Sequence, residues 1–422
     1  MMGFNMHINK NIRVTIDCNL ILLYILFGLL IFQSGTVQAA INTSSLFFKV
    51  TRLLMVFLTV FFGVHGLCRL NLKEFRAFFY CLIVLEIIAG INYILYPNSW
   101  IELQYKILLF LLLYLTVKWS KRKSINLDEV LYNVLLFIAY ITLFLYVLIE
   151  LIRLPVPYSV MHEVGSTVWY KNYFNLFYSY STAFPPRICG FFWEPGVNQI
   201  YLNLALLLYY LLKKNNKFQL FILIISILFT QSSSGYIIMF IIFTAIICKN
   251  EHMKKFNKSL IRIFLGILSV VCAMVVFFIK AKETSAIGDS FAMRSNDLIT
   301  GFILFLENPI FGRGFYNTDI FAQVSYYAGG NSNGLLTVMY TTGIVGIIFL
   351  CFPFLFNLIA QPMADRKREE TIVFFFILAI NFTEPIYSLS IMIYLLAREY
   401  GNLYKKAERI CNGKNIDRRN RW

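Results

Sequence analysis

The sequence predicts an all-α polytopic membrane protein with about twelve transmembrane helices and two long loops on the face opposite the cytoplasm. Three observations carry this prediction. Hydrophobic residues make up 59% of the 422 residues and charged residues 14%, too apolar a balance for a soluble domain. The apolar residues gather in runs near the roughly 20 residues that cross a hydrocarbon core of about 30 Å. The gaps between runs alternate between basic and nearly cation-free, which assigns the basic gaps to the cytoplasm. The net charge of +16 would suggest nucleic acid in a soluble protein. Here the cations sit in short gaps where orientation accounts for them, so no nucleic-acid partner is expected.

The elements follow in order. Lys10 and Arg13 precede a first span from Cys18 to Phe32, and a cation-free gap leads to a second that ends at Arg69, Lys73 and Arg76. Spans three and four enclose the short gap at Pro97–Ile101 and end at Lys118–Lys123. Span five (Val130–Ile152) opens onto the first long loop, residues 152–194, and span six (Pro195–Leu212) returns to Lys213, Lys214 and Lys217. Residues 218–248 are uncharged and have basic flanks, so parity requires two short crossings broken at Gln231–Gly235. Span nine ends at Lys280 and opens the second long loop, residues 280–333. Span ten (Gly334–Ala360) reaches Arg366–Arg368, and a last pair is split at Asn381–Pro385 before a basic tail. Both termini are therefore expected in the cytoplasm. Val37–Ala40 resembles a signal-peptidase site; the charge alternation includes the first span, so that span is expected to stay.

The excluded chemistries narrow the function. Of eight cysteines only Cys189 falls in a long outer loop, and no Cys/His cluster has metal spacing. No Asp-x-Asp pair, P-loop or GxSxG elbow is present, so no metal, cofactor, nucleotide or serine nucleophile is expected.

The two outer loops hold the residues with chemical promise. The first ends in Arg187-Ile-Cys-Gly-Phe-Phe-Trp-Glu194-Pro195-Gly196, with Pro195 suited to a first helical turn and Glu194 at the N-cap. Glu194 can simply cap the helix; Arg187 is one of few outer cations and stands among apolar residues. In the second loop, residues 290–307 read as an amphipathic surface helix ended by Asn308-Pro309. Arg294 lies within it and Arg313 follows between Gly312 and Gly314, an arrangement suited to an oxyanion because guanidinium binds phosphate through paired donors. Both arginines can instead pair with Asp297, Glu307 or lipid phosphates. Glu86 sits in mid-span, while Lys49, Arg52 and Lys106 lie near the outer ends of spans two and four, where such groups pair, snorkel or function.

These residues resemble the bacterial O-antigen polymerases and the related O-antigen ligases. The resemblance rests on Arg187-x-x-Gly190 with Glu194-Pro195 before a span, Gln231-Ser-Ser-Ser-Gly235 in a broken apolar pair, and Arg294 followed by Pro309-x-x-Gly312-x-Gly314. Ser332-Asn333 and Gly343-x-x-Gly346 extend it, so it spans roughly residues 185–350. Ligases commonly carry a histidine where this chain has Ser332-Asn333, which favours a polymerase.

The resemblance implies a membrane-embedded fold like that of class C glycosyltransferases. It also implies a substrate of glycan on undecaprenyl diphosphate, handled at the periplasmic face of the inner membrane without metal. A polymerase would transfer that glycan to a lipid-linked repeat unit, with membrane lipids and a chain-length regulator as further partners. Diphosphate departure needs cations, and the acceptor hydroxyl needs a base. The candidate clamp is Arg187, Arg294 and Arg313, with Arg52 a fourth. Glu194 is the candidate base, followed by Glu307 and Glu384, and Tyr326 and Tyr327 are candidate sugar contacts. The rival functions are a ligase acting on lipid A core and a transporter flipping lipid-linked oligosaccharide.

Overall fold

The computed structural model describes residues 3–7, 13–41, 44–97, 100–162, 169–180, 186–249, 289–315, 317, 319–325, 331–359, 364–386 and 388–403. The ninth span, the first residues of the second loop, and Tyr326 and Tyr327 lie outside the described residues.

A short antiparallel hairpin, β1 (Gly3–His7) and β2 (Arg13–Asp17), precedes the helices. Asp17 then caps α1 (Cys18–Gly35) by accepting from the backbone N–H of Asn19. After the short α2 (Val37–Ile41) come α3 (Leu46–Leu67) and α4 (Leu72–Leu95), joined by a tight turn. Asn71 and Glu74 form a reciprocal capping box at that turn, which starts α4 and stops the apolar run from continuing as one helix. Next follow α5 (Trp100–Arg122) and α6 (Leu127–Tyr146), the latter extended by a π-helical turn, Val147–Leu151. The second half holds α7 (Pro195–Leu211), α8 (Lys217–Phe229) and α9 (Ser233–Lys249). After the undescribed stretch come α10 (Asp289–Glu307), α11 (Asp319–Val324), α12 (Gly334–Ile359), α13 (Ala364–Thr383) and α14 (390–403).

Among the described residues, six helices are long and apolar enough to cross a membrane: α1, α3, α4, α5, α6 with its π turn, and α12. The protein is thus polytopic, and both expected breaks exist. The first separates α8 from α9 at residues 230–232, and the second separates α13 from α14 at residues 384–389.

Helix α7 forms the centre of the bundle. Nearly every residue from Val197 to Tyr210 is buried, against α6, α8, α9 and α13. A helix apolar on all sides belongs in such a place. Its polar residues Asn198, Gln199 and Asn203 are buried as well, and Asn203 donates to the Gly235 carbonyl of α9 at 3.2 Å.

One correction concerns the all-α expectation. The first long loop folds into a four-stranded antiparallel sheet in the order β3 (Ser159–His162), β4 (Trp169–Tyr173), β5 (Phe177–Tyr180), β6 (Arg187–Gly190). Its strands are four or five residues long, and the middle two, β4 and β5, are rich in aromatic residues, which suits a half-buried pleated surface. Tyr173, Phe177 and Ile188 pack on Tyr146 and Ile149 at the end of α6. Beside them the buried Glu150 carboxylate accepts from Tyr173 Oη at 2.8 Å, Lys171 Nζ at 3.3 Å and Ser179 Oγ, fixing three positions of the sheet to the helix. Sheet and π turn therefore form one platform, and it ends in the strand that carries Arg187.

Candidate active site

Arg187 opens β6, with Tyr180 as its cross-strand partner and the guanidinium carbon 5.3 Å from the centre of the Tyr180 ring. Its Nε donates to the Thr230 carbonyl at 3.1 Å, at the first residue past α8. One arginine thereby joins the first outer loop to the serine-rich break. Within that break Ser232 and Ser234 share a hydrogen bond at 3.0 Å, and Gly235 N–H donates to Ser232 Oγ at 3.4 Å.

The chain leaves β6 across the start of α7. Phe192 pairs with Thr36 in an isolated antiparallel bridge and stacks on Tyr201, ring centres 4.4 Å apart, which fixes the path into Glu194. Glu194 occupies the N-cap with extended backbone, and Pro195 follows at the first helical position. The Glu194 side chain, however, makes no capping hydrogen bond. Its carboxyl is hydrogen-bonded to that of Glu384, which lies in the break between α13 and α14, outside either helix.

Gly196 makes this pairing possible. A Cβ placed there would stand 2.5 Å from Glu384 Oε1 and 3.6 Å from Glu194 Oε1, so any side chain there would push the Glu384 carboxyl aside. Burial and the neighbouring Glu194 push the Glu384 carboxyl well above the usual carboxylate range, while Arg294 and Arg187 pull the other way. Two acidic groups that share a site cannot both ionise at ordinary cost, so the pair retains a proton. Arg187 of β6 and Arg294 of α10 thus act electrostatically on the pair formed by Glu194, before α7, and Glu384, in the late break.

Arg294 reaches this place because α10 is braced against the start of α12. Asp297, one turn further along α10, accepts from the backbone N–H of Ser332 at 3.0 Å and from Ser332 Oγ at 2.6 Å. Asn331 Nδ2 donates to the Asp297 carbonyl at 3.2 Å, and Asn333 caps α12 through Leu336 N–H at 3.0 Å. Asp297 is thus engaged by the loop. The backbone of Gly334 in turn packs on the break: a Cβ there would fall 2.3 Å from the Glu384 carbonyl oxygen.

The other expected site residues lie differently. Arg313 forms an ion pair with Glu307, the partner that competed with phosphate in the sequence. Its backbone N–H donates to the Tyr340 carbonyl at 2.8 Å, and Gly314 N–H to Thr341 at 3.0 Å, which docks the loop at the kink of α12. The kink sits at Gly343, where φ is 64° and a Cβ would meet the Ile310 carbonyl at 2.2 Å. Residue 340 lies about 10 Å along α12 from residue 334 at 1.5 Å per residue, so the Arg313 backbone is a comparable distance from the Glu384 break. Arg52 stands on α3, its guanidinium carbon 4.5 Å from the Tyr105 ring centre. Glu86 is exposed and accepts from Gln104 Nε2 at 2.9 Å.

Sequence reasoning placed Glu384 behind Glu194 and Glu307, offered Asp297 only as a partner for the arginines, and gave Glu150 and Gly196 no role. The available signal was a carboxylate beside proline in a helix break, Asn381-Phe-Thr-Glu384-Pro385, matching Glu194-Pro195 in form.

Residues 218–351 match the family described as O-antigen ligase. The matched segment runs from α8 into α12 and contains the serine-rich break, Arg294, Glu307 and Arg313; Arg187, Glu194 and Glu384 fall outside it. No curated protein and no solved structure matches the chain.

Proposed function

We propose, on the premise that a chain with this O-antigen ligase segment is a member of the O-antigen polymerase/ligase family, that it polymerises a surface polysaccharide. The donor is a glycan on undecaprenyl diphosphate and the acceptor a lipid-linked repeat unit. The reaction takes place at the periplasmic face of the inner membrane, with both termini in the cytoplasm. The observation that carries this is the Glu194–Glu384 pair beside Gly196, with Arg187 and Arg294 acting electrostatically on it.

Each group has a task. The bond between the anomeric carbon and the diphosphate oxygen breaks, and its electron pair leaves with the diphosphate. Arg187 and Arg294 offset that charge as cationic donors already held near the pair. The acceptor hydroxyl oxygen forms the new bond to the anomeric carbon, and its proton passes to the ionised member of the carboxyl pair. Glu194 is the proton acceptor, being free of any capping duty and the less buried of the two. Glu384 keeps the shared proton and orients Glu194 through their hydrogen bond.

Polymerase is favoured over ligase because Ser332 and Asn333, where ligases commonly carry a histidine, are engaged in bracing α10 and capping α12. Neither is a free base. The test is the glycan ladder of a deletion strain. A polymerase deletion leaves single repeat units on the core, whereas loss of all glycan from the core means a ligase. Accumulation of lipid-linked repeats on the cytoplasmic side means a transporter.

A further inference from the structure

Away from the carboxyl pair, α4, α5, α12 and α14 enclose an apolar groove of about 150 Å³. Leu85, Phe110, Val345, Phe311 and Phe315 line it, the last two flanking the Arg313 loop. One cation, Lys106, belongs to its wall. Ser388 also lines it and belongs to the break that carries Glu384, so the groove reaches the neighbourhood of the active site.

Lys106 does not stand alone. Its Nζ lies 5.3 Å from the Tyr105 ring centre, and the guanidinium carbon of Arg52 lies 4.5 Å from the same ring. Lys49, one turn before Arg52 on α3, is exposed. Against these three cations stands Glu102, 3.8 Å from Lys106, while the Glu86 carboxylate on α4 accepts from Gln104. Three cations against two carboxylates leave a net positive charge beside a mainly apolar groove, with Lys106 in its wall and Arg52 joined to Lys106 across the Tyr105 ring.

The geometry points to a second lipid-diphosphate station here: the groove takes the single isoprenoid chain of the lipid-linked acceptor, and Arg52 and Lys106 take its diphosphate. This rests on the reaction proposed above, which joins two lipid-anchored glycans and needs two anion sites. Charge and shape favour this occupant over a phospholipid. A phosphodiester carries one negative charge and two chains, whereas a polyprenyl diphosphate carries more charge on one chain. Guanidinium and ammonium together suit that headgroup.

Native mass spectrometry of the full-length protein in phosphatidylcholine nanodiscs, titrated with a polyprenyl diphosphate, tests this. The wild type is expected to bind two equivalents. Arg52→Gln/Lys106→Gln should bind one, and Arg187→Ala/Arg294→Ala should bind the other one. Two equivalents in Arg52→Gln/Lys106→Gln, or displacement of one by an equal amount of phosphatidylglycerol, would overturn the second station. Loss of one equivalent in Arg52→Gln/Lys106→Gln but none in Arg187→Ala/Arg294→Ala would instead remove the diphosphate role of the active-site arginines and leave the groove standing. Independently of any variant, a photoreactive isoprenoid diphosphate should label the Phe311–Phe315 and Val345 peptides of the wild type. Labelling confined to the surroundings of Arg187 and Arg294 would also overturn it.

Discussion

Two kinds of charge pairing coexist in the bundle. At the end where α4, α6 and α14 meet their basic turns, carboxylates face cations. Glu74 lies 3.6 Å from Lys118 and 2.5 Å from Arg122, Asp128 lies 3.2 Å from Arg398, Glu129 lies 2.6 Å from Lys214, and Glu399 lies 3.3 Å from Arg398. At the other end, where Glu150–Lys171 and Glu307–Arg313 are matched in the same way, Glu194 instead faces another carboxyl, that of Glu384, with two arginines acting on the pair. Matched buried charges hold a structure in register, and breaking one leaves an uncompensated charge. Like charges held together lower stability, and they persist where a perturbed proton affinity is useful.

The sharpest way to break the comparison is Arg398→Ala. It strips Asp128 and the buried Glu399 of their shared partner, and a loss of about 3–5 kcal/mol is expected. Membrane abundance should collapse; normal abundance with normal melting would mean that the matched end is not structural. At the other end, Gly196→Ala should leave abundance intact while forcing Glu384 off Glu194. A displacement on the order of 1 Å in a catalytic group costs about 100-fold in rate, so long glycan chains should disappear from the ladder. An unchanged ladder would detach the carboxyl pair from the reaction.

The pH dependence sharpens the same point. A carboxyl whose folded pKa exceeds its unfolded value holds a proton that the unfolded chain has already released. Stability therefore falls as pH rises above about 4.3, the unfolded glutamate value, towards the raised folded one. One such group contributes a slope of at most about 1.4 kcal/mol per pH unit. Thermal melting of the purified protein in steps from pH 5 upward should show this decline in the wild type, and Glu384→Gln should flatten it. Identical slopes in both would place the pair's proton elsewhere. The smallest effect belongs to Glu307→Ala. The Glu307 side chain is 46% exposed, and a pair of this kind contributes about 0–1 kcal/mol. Melting and ladder should both stay near wild type; loss of long chains would bring Glu307 back as a base.

Much of the helix layout was legible because apolar length is a one-dimensional signal. The ends of α1, α3, α7 and α12 fall within a few residues of their expected positions, and both breaks sit at the polar clusters that predicted them. The sheet was not legible: strands of four or five residues, aromatic in the middle two, resemble interfacial loop, and Glu150, which anchors them, sits at the end of an apolar run where it reads as a boundary. In the site, Arg187, Arg294 and Glu194 stood out as charges in unusual company. Their convergence on Glu384 did not, because it depends on a contact between residues nearly two hundred positions apart. Arg313 shows the reverse case. Its glycine flanks suggested a phosphate cradle, and they serve to seat the loop against the kinked α12 beside Glu307.

Turnover of a purified lipid-diphosphate-linked repeat unit by Arg187→Ala and by Arg294→Ala protein is the most direct test that these arginines take the charge of the departing diphosphate. Each substitution should slow glycan transfer by about 100-fold or more while the protein melts as wild type. Transfer within about twofold of wild type in either variant would contradict the assignment.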